Sequence, residues 1–395
     1  MGFFKQGGLN MKKRKICVVI TARPSYARVK TALDEIRKHN SLDLQLIVAG
    51  SALLDRYGDV SKVIEKDGFN IDEKIYNMLE GDSPSAMAKT TGIAILELST
   101  VFQNLKPDIV VTIADRFETI ATSIAAAYQN IPLAHIQGGE VTGNIDEKVR
   151  HANTKLADLH LVASENAANR VYKMGEDKST IINTGCPSID LAREINDNPS
   201  LDFDPIEKYG GVGYNIDWKS GYLVVMQHPV TTEQNSAGIQ ILETLKAIED
   251  LGIPTFWFWP NVDAGGDSLS SAIRNYRETH SLKNIHFFKN MEPQDFLKLI
   301  KNSKVLIGNS SVGIRESSFL GVPVVNIGTR QDGRVRGRNV IDCSYNKDDI
   351  IKAIKQHIKH GHYEQEFLYG NGYAGKAIAD ALANFKLNFH KKITY

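Results

Sequence analysis

A pair of serines between glycines, placed after an apolar run, is suited to holding an anion, and residues 304–338, KVLIGNSSVGIRESSFLGVPVVNIGTRQDGRVRGR, contain such a pair. Residues 305–307 read as a strand and Gly308-Asn309-Ser310-Ser311-Val312-Gly313 as a polar turn. A short helix then runs to Leu320, stopped by Gly321 and Pro323, and residues 323–327 form a second strand. The first N–H groups of a helix have no partner within it, small residues let an anionic group approach them, and Ser310 and Ser311 add hydroxyl donors. Arg330, Arg334, Arg336 and Arg338 follow, with guanidinium forks that suit phosphate oxygens. The pattern points to a pyrophosphate seat at the carboxyl ends of parallel strands. It also fits a serine-capped helix followed by a solvated basic loop.

Three further segments place acid, base and cation at predicted strand ends. They are Ile113-Ala114-Asp115-Arg116-Phe117-Glu118, then His135-Ile136-Gln137-Gly138-Gly139-Glu140, and Gln227-His228-Pro229 through Glu233. Asn144-Ile145-Asp146-Glu147 and Arg150-His151 open a predicted helix after the second. Carboxylates, a histidine and arginines converging on one cleft would handle protons on a ligand gripped by its phosphates. The structural alternatives are a helix cap for Asp115, a dipole-favoured first-turn acid for Asp146, and a satisfied structural histidine at position 228.

The elements that must position these groups alternate. Strands are expected at 15–20, 42–48, 108–112, 132–136, 159–163 and 180–183, with helices at 27–38, 61–67, 86–104, 118–129, 147–156 and 166–174. The rhythm breaks at 192–219, rich in Asn, Asp, Pro and Gly, and resumes with strands at 222–226, 254–259, 285–288 and 340–343 and helices at 236–250, 268–279, 294–302 and 347–360. This predicts an α/β protein of two doubly wound Rossmann-like domains facing a cleft. The first spans residues 11–192, the second 220–370, and a C-terminal helix, 375–395, packs back on the first. Residues 1–10 read as an unstructured extension. No Gly-x-Gly-x-x-Gly follows the first strand, where Thr21-Ala22-Arg23-Pro24-Ser25-Tyr26 stands instead.

Composition narrows the class. The 395 residues carry a formal net charge of +1, which offers nothing to a nucleic acid or another polyanion. No segment is long and apolar enough to span a bilayer, and no signal-peptide core is present, so a cytoplasmic protein is expected. Cys17, Cys186 and Cys343 are far apart and read as buried free thiols. No residues have metal-ligand spacing, and no cofactor is expected.

An ordered set of motifs resembles the hydrolysing UDP-N-acetylglucosamine 2-epimerases. It comprises Asp115-Arg116-Phe117, His135-Ile-x-Gly-Gly-Glu140, Asn144-Ile-Asp-Glu-x-x-Arg-His151, Gly185-Cys-Pro-Ser188, His228-Pro229, Pro260-Asn261-x-Asp263 and Gly308-Asn-Ser-Ser-x-Gly313 through Arg334. The resemblance implies a glycosyltransferase-B type fold and conversion of UDP-N-acetylglucosamine to N-acetylmannosamine and UDP, the first step toward sialic acids. It implies that Arg23, Arg116, His228, Asn261, Asp263, Asn309, Ser310, Ser311, Gly313, Glu316, Arg330 and Arg334 hold the substrate, with Glu316 on the ribose hydroxyls. Asp115 and Asp146 would be the acid/base groups, with Gln137, Glu140, Glu147 and His228 beside them. A homodimer or homotetramer is implied as well.

Three positions depart from that family's pattern. Gln137 stands where a number of members have a catalytic glutamate, Arg23-Pro24-Ser25-Tyr26 lacks an acid, and Ala52 replaces a frequent histidine. The sugar is therefore less defined than the nucleotide. A UDP-2,4-diacetamido-2,4,6-trideoxy sugar, a non-hydrolysing 2-epimerase, a glycosyltransferase and a catalytically silent UDP-sugar sensor are the alternatives.

Overall fold

A computed structural model describes residues 12–55, 59–79, 83–113, 116–141, 145–230, 233, 236–260, 266–387 and 391–394, excepting the side chains of Ile145, Asp146 and Asp267. The chain forms two compact units. The first comprises Met1–Gly139, Val149–Pro187 and Tyr373–Tyr395, and the second Glu140–Lys148 and Ser188–Gly372.

The first half of the chain runs β1 (Arg14–Ile20), α1 (Arg23–Lys38), β2 (Leu42–Ala49), α2 (Val60–Lys66), β3 (Glu73–Ile75), α3 (Pro84–Leu105), β4 (Ile109–Ile113), α4 (Thr119–Tyr128), β5 (Leu133–Ile136), α5 (Ile145–Leu156), β6 (Leu159–Val162), α6 (Glu165–Lys173), β7 (Ile181–Asn183) and α7 (Pro187–Asp197). Its sheet has the order β3-β2-β1-β4-β5-β6-β7 with every pairing parallel. β4, β5 and β6 are buried along their whole length, as expected of parallel strands covered by helices on both faces.

The second half adds α8 (Pro205–Tyr209), β8 (Val212–Gly213), β9 (Leu223–Met226), α9 (Ala237–Leu251), β10 (Thr255–Phe258), α10 (Gly266–Thr279), β11 (Ile285–Phe288), α11 (Pro293–Lys301), β12 (Val305–Gly308), α12 (Ser311–Ile314), α13 (Glu316–Leu320), β13 (Val324–Ile327), β14 (Val340–Cys343), α14 (Lys347–His360) and α15 (Ala374–Asn384). Its sheet runs β14-β13-β12-β9-β10-β11-β8, parallel except for the two-residue edge strand β8. Each unit is doubly wound, as the sequence predicts. Strand order reverses between β1 and β4 in one sheet and between β9 and β12 in the other. At such points the loops leaving the two strands part and open a crevice for ligand.

Four expectations need correction. α1 starts at Arg23, because proline is tolerated in a first turn, so Arg23 belongs to the helix N-terminus and not to a loop. α7, α8 and β8 lie in or beside the stretch read as irregular. The short helix expected between the polar turn and Leu320 starts earlier, at Ser311, and is two short helices broken at Arg315. The C-terminal helix ends at Asn384: Phe385 is extended, and Arg14 Nη1 takes the last carbonyls, Leu382 O at 2.6 Å and Phe385 O at 2.9 Å. Cys17 and Cys186 are buried and Cys343 is partly buried, none of them in a disulfide. Residues 1–10 lie outside the described residues, and among the described residues no helix is long and apolar enough to cross a membrane.

Candidate functional site

In the second unit the candidate residues gather where strand order reverses. Gln227 and His228 leave β9, and Asn309, Ser310 and Ser311 leave β12 beside it. Asn309 fastens the two loops together. Its Oδ1 accepts His228 N at 2.7 Å and its Nδ2 donates to His228 O at 2.9 Å, while its backbone O accepts Arg330 Nη1 at 3.2 Å and Gln331 Nε2 at 2.8 Å. Asn309 is thus a buried brace that sets His228 and Arg330 relative to the turn. Gln331, also buried, falls within the motif that ends at Arg334, but no site role was read for it.

Ser310 caps α12, its hydroxyl accepting Val312 N at 3.4 Å, and Ser311 Oγ accepts Arg315 Nη2 at 3.1 Å. The capping bond is long, which leaves the hydroxyl available to a stronger acceptor. Gly313 answers a packing need: a β-carbon there would stand 2.9 Å from Val324 Cγ1. Glu316 is buried with Oε2 lacking a hydrogen-bond partner among the described residues, and Arg315 Nε lies 3.8 Å from it. An unsatisfied buried carboxylate oxygen is costly unless a ligand donor completes it.

The four arginines divide. Arg330 reaches the brace, and Arg334 Nε donates to Val141 O at 3.2 Å. Arg336 is committed to Asp342 at 2.8 Å, and Arg338 to Glu366 at 3.1 Å. The last two therefore leave the anion seat that the sequence suggested, because their carboxylate partners lie further along the chain. A latch holds the segment before Arg330: Thr329 Oγ1 donates to Glu233 Oε1 at 2.5 Å and Gln240 Nε2 to Glu233 Oε2 at 2.7 Å.

Burial, and after it the positive charge of Arg330, pushes His228 down to about 3 from an ordinary 6.5. The ring is neutral at working pH and offers hydrogen bonds, not charge. His160 and His357 are also pushed down, chiefly by burial. Between pH 6.5 and 3 the unfolded chain protonates the His228 ring while the folded chain resists, and His160 and His357 act in the same direction below pH 6.5. The stabilising contribution is complete above pH 6.5 and drains as pH falls below it, for His228 toward 3. A pH series of thermal midpoints should be flat from 8 to 6.5 and decline below. His228→Asn should make that decline shallower, because one of the depressed imidazoles is gone. A midpoint that rises on acidification would contradict the assignment.

In the first unit Arg23 opens α1 directly after β1. Arg116 follows β4, its Nε donating to Glu118 Oε1 at 2.9 Å, and Glu118 is buried. The Arg-x-Glu spacing was the signal for this partnership, which sequence reasoning passed over. Gln137 follows β5, and its amide Nε2 lies 3.1 Å from Cys186 Sγ. Glu140 is buried and Glu147 partly so, on α5. That helix is fixed by Asn153, which accepts Ser123 Oγ at 2.7 Å and donates to Thr119 Oγ1 at 2.8 Å on α4. Below its last turn Lys155 and Lys391 both meet Glu176, which accepts from His160 as well. Burial pushes Glu176 upward, but those hydrogen bonds outweigh it and hold the carboxylate at about 2. Asp146 stands in the first turn of α5; its side chain, and Asp115, Asn144, Asn261 and Asp263 entirely, lie outside the described residues. Among the described residues no three His, Cys, Asp or Glu side chains group as a metal site.

The family model described as UDP-N-acetylglucosamine 2-epimerase matches residues 34–383. The chain is 31% identical over 375 residues to the UDP-N,N'-diacetylbacillosamine 2-epimerase (hydrolyzing) of Legionella pneumophila, spanning 95% of this chain and 97% of that one. It is 31% identical over 360 residues to the UDP-N-acetylglucosamine 2-epimerase of Neisseria meningitidis serogroup B, spanning 91% of each. A crystal structure of UDP-GlcNAc 2-epimerase from Neisseria meningitidis bound to UDP-GlcNAc superposes with a TM-score of 0.74 at 20% identity, covering 93% of this chain and 99% of that one. The fold is common to both. With a family match over most of its length and full-length relatives above 30% identity, the chain belongs to the UDP-N-acetylglucosamine 2-epimerase family of enzymes.

Proposed function

We propose that this enzyme is a hydrolysing UDP-sugar 2-epimerase that turns UDP-N-acetylglucosamine into N-acetylmannosamine and UDP. The observation that carries the reading is the braced seat where β9 and β12 part. There Asn309 sets the neutral His228 against Arg330, and Glu316 keeps an unsatisfied carboxylate oxygen for a hydroxyl donor. In this reading Arg23, Arg116, His228, Asn261, Asp263, Ser310, Ser311, Arg330 and Arg334 hold the nucleotide, and Glu316 takes the ribose hydroxyls.

The hydrogen on C2 is not acidic, since no carbonyl adjoins it in the ring. Its removal is coupled to loss of the anomeric group. A carboxylate takes the proton, the C–H electrons form the C1–C2 double bond, and the C1–O bond breaks with its electrons going to the β-phosphate of UDP. Arginines and backbone N–H groups stabilise that leaving phosphate. Water then adds at C1 as a proton returns to C2 on the opposite face, which inverts that carbon. Two acid/base groups are required, and Asp115 and Asp146 are assigned to them, with Glu140 and Glu147 as further candidate carboxylates; the Gln137 amide cannot take the proton. No cofactor enters the scheme.

A second reading keeps the reaction and changes the sugar. The Legionella relative and a Campylobacter jejuni relative, 34% identical over 348 residues, are both named for N,N'-diacetylbacillosamine, which favours a UDP-2,4-diacetamido-2,4,6-trideoxy substrate. Incubation with each UDP-sugar, followed by phosphorus NMR, decides between them. The preferred substrate gives free UDP; a UDP-linked epimer means a non-hydrolysing enzyme, and intact substrate a silent binder. Ser310→Ala combined with Ser311→Ala should weaken UDP binding by about 1–3 kcal/mol by calorimetry, one hydrogen bond per hydroxyl. Unchanged affinity would remove the serines from the seat.

A further inference from the structure

The turn that ends β5 carries a strain its backbone alone does not require. Gln137 has φ +64°, the left-handed region that a non-glycine residue enters only under strain. Among the described residues only Lys106 and Asn130 share this property without being glycine, and each follows the end of a helix. Gln137 instead follows an interior strand and is 3% exposed.

Its conformation is imposed from three sides. Gln137 N donates to Leu161 O at 2.9 Å on β6. A β-carbon on Gly138 would stand 2.9 Å from both His135 Nδ1 and Thr154 Oγ1, so the turn is pressed against α5. A β-carbon on Gly139 would stand 2.4 Å from Ala167 O, and Arg170 Nη1 donates to Gly139 O at 3.0 Å, so the turn is also pressed against α6. Glycine at position 137 would meet the same backbone demands without strain. The strain is therefore carried for the side chain.

That side chain is the primary amide whose nitrogen lies 3.1 Å from Cys186 Sγ, and Cys186 is fully buried between β7 and α7. An amide has two faces of opposite character, an acceptor oxygen and a donor nitrogen. A sulfur that takes an N–H leaves Oε1 as the acceptor presented elsewhere. We propose that Cys186 is a positioning residue that fixes the rotation of the Gln137 amide, so that Oε1 accepts the acetamido N–H of a 2-acetamido sugar. The inference rests on the reaction proposed above. Gln137 moves no proton in it. It steadies the substituent on C2 while that carbon passes from tetrahedral to planar and back. When the amide is free to turn over, the unsaturated sugar is held less well and part of it leaves before water adds.

Cys186→Ala and Cys186→Ser in the full chain test this, with UDP-N-acetylglucosamine as the probe and proton NMR of the products. Cys186→Ala should lower kcat about tenfold with KM changed less than about twofold, and should release a measurable fraction of turnover as 2-acetamidoglucal. Cys186→Ser, whose hydroxyl can take the same N–H, should recover most of the rate and suppress the released glycal. UDP affinity and thermal midpoint report whether the variants are folded. Wild-type kcat with no glycal in Cys186→Ala, or a serine variant no better than alanine, overturns the proposal. Should Cys186→Ala not fold, Gln137→Met decides: it keeps the length of the side chain and presents neither face of an amide, so the same loss of kcat is expected, and wild-type kinetics would refute the role. A wild-type chain that leaves the UDP-sugar intact refutes the reaction itself. A turning-over wild type with a silent Cys186→Ala refutes only the positioning.

Discussion

Asp115→Asn should lower kcat by about 10²–10⁴, the range expected for loss of a general acid or base, while UDP affinity stays within about threefold. Asparagine keeps the shape and polarity of aspartate and loses only the capacity to exchange a proton. In sequence Asp115 comes two residues after β4, one of the two strands at which the first sheet reverses its order. Gln137, next after the adjacent strand β5, cannot take up a proton as a carboxylate does, and the proposed reaction gives that work to Asp115 and Asp146. Single-turnover kinetics with calorimetric UDP titration separates the two effects. A variant that loses UDP binding yet keeps its turnover at saturation would reverse the assignment.

Gly308→Ala should destabilise the protein by about 3 kcal/mol or more and weaken UDP binding by more than about tenfold. Gly308 has φ +127°, and a β-carbon there would stand 2.2 Å from Met226 O and 3.0 Å from Gln227 N. Those are backbone atoms, so neither can rotate away. β12 would have to part from β9 at the very point where Asn309 joins their loops, and His228 and Arg330 would lose their common brace. Gly252 is the control: φ is +63° but nothing lies within 4 Å, so alanine costs only the backbone strain of about 1–2 kcal/mol. Urea unfolding of both variants measures the contrast. Equal losses at the two positions would show that crowding at Gly308 is relieved elsewhere.

Much of the framework could be read from the chain because buried parallel strands are nearly continuous apolar runs. The runs at 109–113, 133–136 and 305–308 are the strands that deliver the site. What escaped was short or punctuated. β3 and β8 have three and two residues, too few for a periodic signal. α1 and α7 have Pro24 and Pro187 in their first turns, and neither helix start was expected there. Side-chain partnerships were the least legible. Arg336 and Arg338 continue the same basic run as Arg330 and Arg334, but Asp342 and Glu366 claim them, and nothing in a run of arginines announces which will find a carboxylate. The Glu233–Thr329 latch and the Gln137–Cys186 contact join residues 96 and 49 positions apart, beyond any local pattern.

The reaction run in heavy water with a UDP-2-acetamido sugar tests the elimination most directly, because only that route breaks the C2–H bond and rebuilds it from solvent. One deuteron at C2 of the released sugar, with one free UDP per turnover, is the expected result. A product that keeps its original hydrogen at C2 would contradict the account.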